Sequence, residues 1–140
     1  MSELIAKCCQ LKAKVVSKDE KESSYRAILN FGHTLGHAIE GITDFEKFKH
    51  GEAVAMGMVF ASELSNNLDF AKEDYTNRLQ NLLHAFSLPT AWPEFKTSEY
   101  RKYLTRDKKI KNQLIQFILA EKIGKVSIVP LSTQEIVRWL

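Results

Sequence analysis

Apolar residues recur at helical spacing through most of this chain and at strand spacing near its end. From Glu3 to Val16, Leu4, Cys8, Leu11 and Val15 fall at three- and four-residue steps, which predicts one face of an amphipathic helix ending near Ser17. A polar, turn-prone SKDEKESS follows. Ala27 to Ile42 then reads as a second helix carrying Gly32, His33, Gly36, His37 and Glu40. A glycine inside a helix costs about 1 kcal/mol, so glycines four apart predict that a neighbouring helix or a ligand comes close to the backbone. From about Glu52 to Asn66 a third helix is apolar almost all round and belongs in the middle of a bundle.

Tyr75, Leu79, Leu82, Leu83 and Phe86 predict a fourth helix, which the Leu88-Pro89 step should stop, and a shorter fifth is expected over Ser98 to Arg106. Leu114 to Leu119 and Lys125 to Val129 are short, apolar and rich in branched residues. They flank Glu121-Lys122-Ile123-Gly124, so a β-hairpin fits. Ser132 and Glu135 form a capping box for a last helix. The expected fold class is mainly α, a helical bundle with a small two-stranded β element, as a single domain over residues 1–140.

Composition narrows the function classes. With 140 residues and 44% hydrophobic content the chain is long enough to bury a core. A net charge of +3 is mildly basic and lacks the concentrated field of a nucleic-acid binder. No apolar run is long enough for a membrane span, and charge in the first turns argues against a signal peptide, so no membrane partner and a cytoplasmic setting are expected. Cys8 and Cys9 are adjacent, which suits neither a disulfide framework nor a CxxC zinc site, and buried free thiols are the expectation. The one dense basic patch, Arg106, Lys108, Lys109 and Lys111, fits a solvated helix end or the binding of a small anion.

Most polar residues able to do chemistry lie between Lys12 and Glu52. Arg26, Asn30, His33, His37 and Glu40 fall at steps of four, three, four and three, which on one helix would put all five along one stripe. Such a stripe can bind a phosphate or carboxylate, hold a divalent metal, or do both side by side. A lone histidine on a helix is usually a solvated or satisfied side chain, but two in register weaken that reading. His33 and His37 have the four-residue spacing of an HExxH pair, yet Thr-Leu-Gly lies between them with no catalytic glutamate, which argues against a metalloprotease. His50 opens the third helix where neither core nor cap needs an imidazole, so it is the natural partner from elsewhere in the chain. Spacing alone does not choose between His33 and His37 as a ligand, nor does it name the anion.

RAILNFGHTLGHAIE followed by HGEAVAMGM is similar to the signature of the 3-dehydroquinate synthase family, enzymes of the shikimate pathway of aromatic amino acid biosynthesis. The similarity extends through LKAKVVSKDEKE, FSLPT, DKK and IQFILAEKIGKVSIV. It implies the C-terminal metal- and substrate-binding domain, with the N-terminal NAD-binding domain absent. It also implies that His33 and His50 ligate Zn2+, or Co2+ in its place, with the third ligand outside this chain. Lys12, Arg26, Asn30, His37 and a lysine of DKK, Lys108 in preference to Lys109, would hold a phosphorylated seven-carbon keto sugar acid. Glu40 and Glu52 would orient imidazoles. The family's reaction converts 3-deoxy-D-arabino-heptulosonate 7-phosphate to 3-dehydroquinate and phosphate by transient oxidation with NAD, phosphate loss, re-reduction, ring opening and aldol closure.

The chain departs from the family in carrying Ser23-Ser24-Tyr25 before Arg26, where glycine and leucine are usual, and in having no glycine-rich loop between a strand and a helix. NAD is therefore not expected to bind this chain alone, and the isolated chain is expected to be inactive. A related sugar-phosphate cyclase shares the anion-binding set, whereas a metal-dependent polyol dehydrogenase has no need of it. The remaining alternative is a non-catalytic metal- and anion-binding module. An apolar face left by the missing domain would favour self-association as a homo-oligomer.

Overall fold

In a computed structural model, which describes residues 2–21, 25–105, 110–111 and 114–140, the apolar third helix is the axis of the larger of two compact units. Residues 1–30 form the first unit and residues 31–140 the second.

The first unit holds α1 (Ser2–Lys18) and a 3-10 helix (Tyr25–Asn30). The amphipathic pattern formed its helix, but α1 buries no residue, and Leu4, Ile5 and Leu11 stay exposed. For the same reason Cys8 and Cys9 are free but exposed, not buried as their apolar character suggested.

The second unit runs α2 (His33–Ile42), α3 (His50–Asn67), α4 (Thr76–Ala85), α5 (Thr97–Leu104), β1 (Ile110–Lys111), β2 (Leu114–Lys122), β3 (Lys125–Ser132) and α6 (Thr133–Val137). The expected helix from Ala27 to Ile42 is thus two pieces. Its helical periodicity continues across Phe31-Gly32, but Gly32 takes φ +81°, a left-handed conformation that ends one helical segment before α2 begins. Arg26 and Asn30 therefore lie on the 3-10 helix and His33, His37 and Glu40 on α2, so the five do not form one stripe of one helix.

Close approach between α2 and α3 explains the glycines. A Cβ on Gly32 would come within 2.7 Å of the Met58 amide nitrogen, and one on Gly36 within 3.2 Å of the Ala53 carbonyl. From the opposite side, a Cβ on Gly57 would collide with the Gly32 carbonyl oxygen. Around this contact Leu35 and Ile39 of α2 meet Met56, Phe60 and Leu64 of α3, Tyr100 and Leu104 of α5, and Ile115, Phe117 and Leu119 of β2 in one core. Burial of these side chains is the main stabilising term.

The hairpin forms where it is expected, with Phe117 opposite Val129 and Leu119 opposite Ser127, and Gly124 turning it at φ +85°. The two-residue β1 adds a third antiparallel strand in the order β1-β2-β3, too short to leave a pattern in the sequence. Ser65 of α3 fastens the sheet to the bundle, since its Oγ accepts from the Ala120 amide at 3.3 Å while donating to the Ala61 carbonyl. The capping box closes α6, with Glu135 N donating to Ser132 Oγ and Ser132 N to the Glu135 carboxylate. Among the described residues, no helix is long and apolar enough to cross a membrane.

Candidate metal centre

Because Gly32, Gly36 and Gly57 let α2 and α3 nearly touch, side chains at the start of each helix share one small volume. His33 and His37 stand one turn apart on α2, and His50 is the first residue of α3. The three rings gather with centroids 5.2 Å apart for His33 and His50, 5.5 Å for His33 and His37, and 5.8 Å for His37 and His50. The His50 ring thus comes beside the two imidazoles of α2 from a separate helix.

The Nδ1 atoms of two of these rings face oxygen acceptors. His33 Nδ1 lies 3.3 Å from the Phe31 carbonyl oxygen, and His50 Nδ1 lies 3.1 Å from Glu40 Oε1. A carbonyl can only accept, and so can an ionised carboxylate, so each Nδ1 is the donor in its contact, the arrangement that in a neutral ring leaves Nε2 as the metal-binding atom. Two imidazoles with their Nδ1 atoms held by oxygen fit the donor set of a zinc or cobalt ion bound through Nε2. Glu40 is buried at 6% exposure while the His50 side chain is 56% exposed, so the carboxylate is the fixed element against which the ring is set. His37, Glu40 and His50 also each present a ligand atom within 4.8 Å of the others, the spacing of a metal-binding group.

Glu52 behaves differently from its expectation as an imidazole-orienting group. Its carboxylate accepts from the Lys49 amide at 2.8 Å and closes the first turn of α3. Sequence reading missed the role of the Phe31 carbonyl, since a backbone acceptor leaves no side-chain signal; the only clue is the glycine after it.

The expected anion-binding residues divide between the units. In the first, Lys12 is exposed on α1, and the Arg26 backbone and side chain tie the 3-10 helix to the preceding loop. The Arg26 amide donates to Asp19 Oδ2 at 2.9 Å and its Nη1 to the Glu20 carbonyl at 3.0 Å. Asn30 ends the 3-10 helix. Lys108 lies outside the described residues, as does Lys109.

The model of the 3-dehydroquinate synthase C-terminal family matches residues 1–110. The chain belongs to that family. Among curated relatives of the synthase, 3-dehydroquinate synthase of Geobacter metallireducens is 47% identical over 131 residues, covering 94% of this chain and 36% of the relative. That of a Thermoanaerobacter species is 41% identical over 140 residues, covering 100% of this chain and 39% of the relative. This C-terminal synthase domain thus spans less than two fifths of the length of those relatives. Among solved structures, 2-deoxy-scyllo-inosose synthase in complex with carbaglucose-6-phosphate, NAD+ and Co2+ matches 94% of the chain and 39% of its own with TM-score 0.80 and 26% identity. The 2-epi-5-epi-valiolone synthase of Streptomyces hygroscopicus, with NAD+ and Zn2+ bound, shares the fold with TM-score 0.81 at 21% identity, over 98% of this chain and 38% of its own.

Proposed function

We propose that this chain supplies the metal- and substrate-binding half of a 3-dehydroquinate synthase, acting in the cytoplasm on 3-deoxy-D-arabino-heptulosonate 7-phosphate. The carrying observation is the pair of imidazoles whose Nδ1 atoms are engaged by the Phe31 carbonyl and the Glu40 carboxylate. It supports His33 and His50 as the metal ligands, through Nε2, with a third ligand and the NAD site contributed by the rest of the synthase. In this reading Glu40 is a positioning residue: with Oε1 on Nδ1 of His50, it lies behind the ring as seen from Nε2. A divalent ion bound by such a pair supplies Lewis-acid polarisation of a substrate oxygen.

The chain's own residues do the rest by binding and orientation. Arg26 can grip a phosphate or carboxylate with two parallel hydrogen bonds, Lys12 and Lys108 contribute point charges, and Asn30 can donate and accept at once. His37, one turn from His33, hydrogen-bonds the phosphate or a hydroxyl beside the metal. A site richer in anion donors than in bases suits a reaction in which the departing phosphate can take the acidified proton itself, leaving positioning and electrostatic stabilisation to the protein.

The test is a chimera in which this chain replaces the matching segment of the Geobacter metallireducens synthase, assayed for dehydroquinate formation with NAD and zinc. Turnover that His33→Ala and Arg26→Ala each abolish supports the proposal; a folded chimera without turnover overturns it. The 140-residue chain alone should form no dehydroquinate under the same conditions.

A further inference from the structure

Apart from the imidazole cluster, the second unit carries a groove of about 630 Å³ between α4 and the β2–β3 hairpin. Its wall is apolar, with Phe31, Leu79, Leu82, Ile123 and Val126, and the Tyr75 hydroxyl is turned away from solvent toward the Ala120 carbonyl at 3.5 Å. Leu82 and Ile123 are 56% and 49% exposed, so water covers apolar surface that a ligand would dry. Two cations, Arg78 on α4 and Lys122 at the hairpin turn, line the same groove. Among the described residues neither side chain makes an ion pair or hydrogen bond, in contrast to nearby Lys72 and Lys125, which both reach Glu121 at 2.9 Å. Long cationic side chains can lay aliphatic stems along an apolar wall and keep their charged ends in water.

An apolar cavity in the size range of small-molecule sites, with a few polar groups to fix orientation, calls for an apolar ligand body. Two uncompensated cations call for an anionic end, and a guanidinium matches a carboxylate bidentately. We propose that this groove binds an amphipathic monocarboxylate, its hydrocarbon body between α4 and the hairpin and its carboxylate on Arg78 and Lys122. The groove shares only Phe31 with the metal centre, where the backbone carbonyl of that residue faces His33, and its proposed ligand contacts, Arg78 and Lys122, have no part in metal or substrate binding, so the two proposals can fail separately.

The test is calorimetric titration of the chain with sodium decanoate, below the concentration at which decanoate forms micelles. One-site saturable binding is expected, on the order of tenfold weaker for octanoate because two buried methylenes are lost. The double variant Arg78→Gln, Lys122→Gln should weaken decanoate by about tenfold or more, with an unchanged circular dichroism spectrum, and neutral decanol should bind the native chain correspondingly worse. No saturable binding overturns the proposal, as does decanoate binding that is indifferent to the double variant. Self-association of the chain that Leu82→Asp abolishes also overturns it, because the groove then belongs to a second copy.

Discussion

Replacing Gly57 by alanine tests whether contact between α2 and α3 builds the imidazole cluster. The added Cβ collides with the Gly32 carbonyl oxygen and stands 2.9 Å from the Gly32 carbonyl carbon and 3.0 Å from the Gly36 amide nitrogen. All three are backbone atoms, so no side-chain rotation relieves the overlap and the helices must separate. Overpacking of this kind costs about 1–3 kcal/mol or more, while alanine in place of glycine inside a helix returns about 1 kcal/mol. A net loss of up to about 2 kcal/mol, or more if the backbone overlap is not relieved, follows from those two terms. Gly51, also on α3, has nothing within 4 Å of its would-be Cβ, so Gly51→Ala should be neutral or slightly stabilising. Urea denaturation followed by circular dichroism compares the two. Because separation also pulls His50 from His33 and His37, Gly57→Ala should weaken Co2+ binding. Equal stability of the two alanine variants, with unchanged cobalt affinity, would refute the reasoning.

Glu40→Gln removes the carboxylate charge behind His50 and should lower metal affinity by about 10- to 100-fold; competition with a zinc indicator reads this, and unchanged affinity would remove Glu40 from the site. Tyr100 is buried at 1% exposure and its hydroxyl donates to the Pro93 carbonyl at 2.5 Å, so Tyr100→Phe should cost about 1–2 kcal/mol in urea. Glu121 is held down to a pKa of about 2 by hydrogen bonds from Lys125 and then Lys72, below the usual carboxylate range. Its contribution to stability is therefore complete above the unfolded pKa of about 4.3 and is lost as pH falls toward 2. The stability gap between native chain and Glu121→Gln should be flat above about pH 5 and close at the acid end; a gap that persists undiminished at pH 2 contradicts the ion-pair account.

Much of the fold is legible in residue pattern because single physical demands fix it. Helix α3 is apolar almost all round and is buried over most of its middle; Ser132 and Glu135 cap the helix that they announce. His50 stands out because nothing in core or cap chemistry needs it there. The break at Phe31-Gly32 was hidden because the helical spacing of polar residues happens to continue across it, and only the left-handed Gly32 pressed against Met58 interrupts the backbone. Cys8 and Cys9 misled because apolar character predicts burial only where a neighbour covers the helix, and α1 buries nothing. Glu52 satisfies a backbone donor three residues earlier, a local demand that outweighed the expected role on an imidazole.

The central claim, that His33 and His50 are the ligands and His37 is not, is tested most directly by Co2+ titration of three variants followed by visible absorption. His33→Gln and His50→Gln should each lose the cobalt spectrum of the native chain, and His37→Gln should keep its band positions with affinity nearly unchanged. Loss of the spectrum in His37→Gln with retention in His33→Gln would contradict the account and assign the metal to His37, Glu40 and His50 instead.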